Sequence, residues 1–260
     1  MRLIRIYQNI PLQENSSVQL DGKAAHHLIN VLRIKADAPL IVFNGQGGEF
    51  TAVVQVVARK NVSIKIENFI NVTRESLFKI HLLQSLVRSE KMDFIMQKAC
   101  ELGVSAITPV ITEFCNVKLT ADMLEKKHQH WQNILINACE QCERNQLPIL
   151  HPATKFADVL RLAQEKEKFI LHPDNHNSAQ KQTFLAATYQ PSNGCTILIG
   201  PEGGFSKEEV TLAQKNNFKT LSLGPRILRT ETAALTAVAI LQARYGDLVS
   251  GHAPQQSSYT

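Results

Sequence analysis

The chain has 260 residues, enough for one large domain or two modest ones with a sizeable core. With 44% hydrophobic and 20% charged residues it is excluded from the disordered and collagen-like classes and reads as an ordinary globular protein. The formal charge of +5, from 28 basic and 23 acidic residues, suits a polyanionic partner if the bases cluster, but does not require one. Five cysteines (Cys100, Cys115, Cys139, Cys142 and Cys195) are an odd number in a chain without a signal-peptide pattern. That argues for reduced thiols in a cytoplasm rather than a disulfide framework. No apolar run approaches the roughly 20 residues a membrane helix needs, and "MRLIRIYQNIP" lacks a secretory apolar region.

Residues 1 to about 70 favour strands: "VQL", "LIVFNGQGGEFTAVVQVVA" and "NVSIKIENF" carry β-branched residues with turn residues between them. Between them "DGKAAHHLINVLRI" predicts a short helix capped by Asp21, with Leu28, Val31 and Leu32 on one face. The glycines of "NGQGG" do not fit a dinucleotide-binding spacing and predict a hairpin turn. "NVTRESL" (71–77) is the expected linker, after which strands alternate with helices. "KIHLLQSL" reads as a strand, followed by a helix with Ser89 as its cap. Met92, Ile95, Met96, Ala99 and Leu102 fall at helical spacing, and Gly103 ends the helix. Next come the strand "AITPVI", a helix over about 121–144, an αβ unit over 156–171 and a polar loop "PDNHNSAQKQ". The chain continues with the strand "CTILIG", a helix near 207–217, the strand "KTLSLG", the turn "PRILRTET" and the helix "AALTAVAILQARYGD". This alternation predicts an α/β domain with a parallel sheet and helices on both faces, behind a small β-domain. The tail 251–260 is expected to be disordered.

Two segments carry chemistry. In "TILIGPEGGFSKEE" (196–209) a strand passes through three glycines into a helix start. Ser206 with Glu209 three residues later is a capping box, which occupies the donors a phosphate would use. Glu202 adds a negative charge, and there is no P-loop ending. The turn is therefore either a tight connection or a place where a flat or zwitterionic ligand meets bare backbone. In "LSLGPRILRTETAAL" (221–235), Arg226, Arg229, Thr230, Glu231 and Thr232 crowd into seven residues, more chemistry than turn geometry needs. The alanine-rich helix after it must be buried on most sides or packed against another subunit. Cys139 and Cys142 form a C-x-x-C with no second pair at zinc spacing, and His128 and His130 have no third ligand nearby. No metal site is expected.

Together "LIGPEGGFSKEEV" and "LSLGPRILRTETAAL" resemble the RsmE family of ribosomal RNA (uracil-N3)-methyltransferases, of the SPOUT class. "RLIRIY", "HHLINVLRIKADAPL", "SEKMDFIMQKACELGV" and "NACEQCERNQLPIL" resemble that family's other blocks, so the likeness covers nearly all of 1–245. The resemblance implies a PUA-like β-barrel over 1–72 that helps bind RNA. It also implies a trefoil-knotted α/β domain over 73–250 that binds S-adenosyl-L-methionine, and a homodimer joined through the knotted domain. It assigns Ile199, Gly200, Pro201, Glu202, Gly203, Gly204, Leu221, Leu223, Gly224, Ile227, Leu228, Thr230 and Thr232 to the cofactor. Arg226, Arg229 and Glu231 fall near the transferable methyl. Arg2, Arg5, His27, Arg33, Lys35, Lys91 and Arg144 are the candidate contacts to 16S rRNA. His26 and His27 are open to a structural reading as well. One departure stands out: Phe114 occupies a place where the family pattern leads one to expect arginine, with Lys118 a partial substitute.

The implied reaction is methylation of uracil N3 in small-subunit RNA, on a base that is unpaired or flipped. Arg229 with Arg226 would stabilise charge on the uracil carbonyl oxygens. Glu231 would either accept the N3 proton or pair with one of those arginines. Two other readings are a ribose 2′-O-methyltransferase on rRNA or tRNA, and a non-catalytic RNA-binding assembly factor that kept the fold. "GPRILRTETA" argues against the first, and the intact glycines and Arg-Thr-Glu-Thr run against the second.

Overall fold

In the computed structural model, residues 3–20, 22–115, 120–163, 165–172 and 193–249 are described. Arg2, Asp21, Lys118, the loop 173–182 and the tail 251–260, all named above, lie outside them. The chain divides into two compact units, one built on residues 1–75 with 139–147, the other on 76–138 with 148–251.

The first unit is a five-stranded sheet of β1 (Ile4–Tyr7), β2 (Ser17–Leu20), β3 (Pro39–Phe43), β4 (Glu49–Val57) and β5 (Val62–Ile70), in the order β1-β3-β4-β5-β2. Its β-branched strands bury alternate residues: Phe50, Ala52 and Val54 of β4 and Val62, Ile64 and Ile66 of β5 point into one core, while Gln55 and Lys65 stay outside. "NGQGG" closes the β3–β4 hairpin, with Gly45, Gly47 and Gly48 all at positive φ. The helical segment is irregular: α1 (Gly22–His26) runs into a π-helical turn (His27–Val31) closed by Leu32 N donating to His27 O at 3.0 Å. This wider turn breaks the 3.6-residue phase. Leu28 is fully buried as expected, but Val31 and Leu32 are 61% and 39% exposed; Ala25 and Ile34 take the core positions instead.

Two candidate RNA contacts turn out to be internal to this unit. Arg5 is buried on β1, where it stacks on Phe43, donates to Glu49 Oε2 at 2.6 Å and donates to Asn145 Oδ1 at 2.5 Å. Arg144 is also buried, donating to Glu75 Oε2 through Nε and Nη2 at 2.9 and 2.5 Å. Guanidiniums committed to carboxylates inside the fold are not available to phosphates. Arg74 joins the same network, donating to Glu49 Oε2 at 3.0 Å. Burial by itself would raise the Glu49 carboxyl, but the bonds from Arg5 and Arg74 win and hold it below the usual range.

The second unit is a seven-stranded parallel sheet. Its strands are β6 (Lys79–Ser85), β7 (Ala106–Ile111), β8 (Ile149–Leu150), β9 (Thr154–Lys155), β10 (Lys168–Leu171), β11 (Gly194–Ile199) and β12 (Phe218–Leu221). They run β12-β10-β11-β6-β7-β8, with β9 also pairing β7. Leu83, Ile170 and Leu198 lie on one face, in a core shared with α4 (Phe156–Leu162) and α5 (Lys207–Lys215). Residues of opposite parity, such as Leu82 and Ile197, are buried toward the other face. There α6 (Thr230–Tyr245) packs on β11 and α2 (Ser89–Glu101) packs on α6. Both faces are covered, which is why these strands read as nearly unbroken apolar runs.

Helix ends follow local chemistry with one exception. Ser206 and Glu209 form the expected capping box on α5: Ser206 N donates to Glu209 Oε2 at 3.0 Å and Glu209 N to Ser206 Oγ at 3.2 Å. The other oxygen of buried Glu209 accepts from Glu113 N beyond the end of β7. On α2 the cap is Arg88, not Ser89; Ser89 opens the helix, and its Oγ instead accepts from Lys127 Nζ on α3 (Ala121–Cys142). α6 buries a single stripe of Ala234, Ala237, Val238, Leu241 and Gln242, leaving Leu235, Thr236, Ala239 and Ile240 half-buried.

Candidate active site at the strand ends

In an open parallel sheet, ligands bind beyond the carboxyl ends of the strands where strand order reverses. That reversal falls at β10: the chain goes from β10 to β11 on one side, then returns to place β12 on the other. The turns leaving β11 and β12 therefore diverge around the end of β10. A cleft of about 390 Å³ opens there.

Its first wall is the turn Gly200–Gly204 and its second the run from Leu221 to Arg229, with Thr230 and Ala233 of α6 closing the back. Gly203 sits tightly against Phe114: a Cβ there would lie 3.0 Å from Cβ of Phe114, so a larger residue would push that side chain aside by a few tenths of an ångström. Phe114 itself is 43% exposed and packs against this turn. Thr230 Oγ1 donates to Gly200 O at 2.7 Å and accepts from the fully buried Gln84 Nε2 at 3.2 Å. That chain of bonds ties the end of β6, the first wall and the start of α6 together.

Ile199 through Gly204, Leu221, Leu223, Gly224, Ile227, Leu228 and Thr230 all line the cleft, as do Arg226 and Arg229. Both arginines are exposed, and neither guanidinium is paired with a described residue. Thr232 is exposed and outside the lining. Glu231 is also off the lining; its Oε2 is buried, makes no hydrogen bond among the described residues and lies 3.7 Å from Lys91 Nζ. Of the two roles open to Glu231, pairing with Arg226 or Arg229 is not seen among the described residues, where its nearest cation is Lys91. Lys91 also donates to Glu202 Oε1 at 2.9 Å, so its partly exposed ammonium lies between two carboxylates. Burial would raise the Glu202 carboxyl, but the Lys91 bond, a backbone hydrogen bond and the charges of Lys91 and Arg88 together outweigh it and hold the carboxyl below the usual range.

Leu171, His172, Ser222 and Ala233 line the cleft without having been singled out in the sequence. His172 follows β10 and lines the cleft, and its Nδ1 is buried without a hydrogen-bond partner among the described residues. Its only sequence signal was its position after a parallel strand. Of the other expected RNA contacts, His27, Arg33 and Lys35 are exposed together on the first unit beside Val31 and Leu32.

A second polar cluster lies lower in the sheet. Glu165 accepts from Thr196 Oγ1 and sits 3.8 Å from His81 Nδ1, whose Nε2 is 2.8 Å from Thr108 Oγ1. The His81 contact, working against burial, brings the Glu165 carboxyl down to about 2. Among the described residues no group of three or more His, Cys, Asp or Glu side chains is arranged to hold a metal ion, and no helix is long and apolar enough to cross a membrane. All five cysteines are thiols outside any disulfide.

Residues 73–242 match the model of an RNA methyltransferase domain, and 20–67 that of an RNA methyltransferase PUA domain. Ribosomal RNA small subunit methyltransferase E of Buchnera aphidicola (subspecies Schizaphis graminum) is 36% identical over 95% of this chain and 98% of its own. The Bacillus subtilis protein of that name is 30% identical over 88% and 91%. Among solved structures, a putative methyltransferase of Legionella pneumophila, in complex with bound SAM, is 46% identical. It covers 95% of this chain and 100% of its own, with a TM-score of 0.90. The Neisseria gonorrhoeae ribosomal RNA small subunit methyltransferase E, bound to S-adenosyl methionine, is 34% identical over the same shares, with a TM-score of 0.86. With these matches spanning both units, the chain belongs to the ribosomal RNA small subunit methyltransferase E family.

Proposed function

We propose that the protein transfers a methyl group from S-adenosyl-L-methionine to N3 of a uridine in 16S rRNA of the small ribosomal subunit. The observation that carries this reading is the cleft at the β10 switch point, walled by two glycine-bearing turns and flanked by Arg226 and Arg229, which pair with no described residue. The cofactor fits what is there. Leu171, Ile199, Leu221, Leu223 and Leu228 offer apolar surface to an adenine, and the Gly200–Gly204 backbone can approach a ribose or amino-acid moiety closely. When bound, the cofactor supplies an electrophilic methyl group on a sulfonium.

The chain's own contribution is positioning and charge stabilisation. The target base must be unpaired, since N3 is at the centre of its pairing edge. Arg229, with Arg226, donates hydrogen bonds to the uracil carbonyl oxygens, where charge grows as N3 gives up its proton to solvent water and takes the methyl group in its place. Holding nucleophile and methyl in line supplies much of the remaining acceleration. Residues 1–72 serve as the RNA-binding domain through His27, Arg33 and Lys35, whose exposure and grouping suit phosphate contacts. Residues 73–250 serve as the catalytic domain, with the trefoil knot of its class. The half-buried stripe of Leu235, Thr236, Ala239 and Ile240 on α6 favours a homodimer, since a second copy would finish burying it. The reaction belongs in the cytoplasm, where small subunits are assembled.

The test is to incubate the purified protein with labelled S-adenosylmethionine and small ribosomal subunits, then identify the modified nucleoside by mass spectrometry. 3-Methyluridine is expected. Ribose methylation would replace this reading with the 2′-O-methyltransferase one, and absence of transfer would favour an RNA-binding assembly factor.

A further inference from the structure

Lys91 stands in the first turn of α2, where a cation opposes the helix macrodipole. Its tertiary surroundings explain the placement. One ammonium lies 2.9 Å from Glu202 on the first wall of the cleft and 3.7 Å from the buried Oε2 of Glu231 at the start of α6. Among the described residues Lys91 is the cation within ion-pair distance of both carboxylates, while the more distant Arg88 adds a favourable charge at Glu202. Without it, Glu202 would keep only the distant charge of Arg88, and Glu231 would have an oxygen stripped of water and no cation beside it among the described residues.

We infer that Lys91 is a positioning residue, a clamp that fastens the Gly200–Gly204 turn to the start of α6 and so sets the shape of the cofactor cleft. It works beside the neutral tie from Gln84 through Thr230 to Gly200 O, which holds the same two elements from the sheet side. Glu231 is thereby assigned to the clamp, not to proton transfer: it does not line the cleft, and its buried oxygen faces Lys91. The inference rests on the cofactor reading above and makes separate predictions.

The experiment is calorimetric titration of wild type, Lys91→Met and Lys91→Arg with S-adenosylmethionine and with its demethylated thioether product, followed by steady-state kinetics on small subunits. Removing the ammonium should weaken both ligands alike, by about fivefold to tenfold, as expected for loss of a partly buried ion-pair bridge. KM for the cofactor should rise to match while kcat stays within about twofold, because the clamp touches no reacting atom. Lys91→Arg should recover most of the affinity. Adding Glu202→Gln to Lys91→Met should cost less than Glu202→Gln does in wild type, since the two act as one unit. Wild-type cofactor affinity in Lys91→Met would overturn the inference. So would a loss confined to RNA affinity and its salt dependence, which would make Lys91 a phosphate contact. Failure of the wild type to bind S-adenosylmethionine would overturn the methyltransferase reading itself.

Discussion

Two pairs of arginines show how differently one residue type is used. In the first unit Arg5 and Arg144 are buried and bonded to Glu49, Asn145 and Glu75. At the cleft of the second, Arg226 and Arg229 are exposed and unpaired with any described residue. A guanidinium whose donors meet internal carboxylates holds the fold together. One left unsatisfied beside a cavity is available to a ligand.

The comparison breaks if exchanging the roles leaves no trace. The largest effect is expected at Arg5. Arg5→Met leaves Glu49 with Arg74 alone and takes the Arg5 donor from Asn145 Oδ1, and should cost about 3 kcal/mol of stability, the low end for a broken buried pair, read by denaturant unfolding. Arg229→Ala should leave the melting temperature near that of wild type. It should lower turnover about a hundredfold to a thousandfold with cofactor affinity nearly unchanged, as for loss of a charge-stabilising donor; unchanged turnover would reject the clamp on the uracil oxygens.

Glu165 tests whether pairing, rather than the choice of unit, is what matters. Its folded-state value of about 2 lies below its ordinary 4.5. Its contribution is therefore complete above pH 4.5 and is lost as pH falls toward 2. Glu165→Gln should remove that part of the acid dependence, about 2 kcal/mol across the window, measured by unfolding at a series of pH values. The smallest change is at the α5 cap: Ser206→Ala should cost about 1 kcal/mol in thermal unfolding without altering the arginines' roles.

Much of this was legible in the sequence because it depends on near neighbours. The alternation in β4 and β5, the three glycines of the hairpin and the Ser206–Glu209 box all depend on spacings of two or three residues, or on backbone no Cβ may crowd. Where the backbone departed from regular spacing, the reading failed. The π-helical turn at His27–Val31 shifted Val31 and Leu32 outward, and nothing in "HHLINV" announces a change of period. Ser89 is a good capping residue one position too late, since the backbone turns helical at Ser89 itself. In the site, the glycine and arginine runs were visible as motifs, whereas His172 and Gln84 sit at the ends of ordinary apolar strands and carry no local mark.

The sequence by itself determined the order of the elements, the two glycine-walled turns and the family, because these follow from periodicity, capping and motif. Tertiary structure alone decided which charges are spent and which are kept. Arg5 meets Asn145 140 positions away, and Lys91 meets Glu202 across 111. Partners so distant in the chain are chosen by packing, and a charge's availability depends on its partner rather than on its own identity.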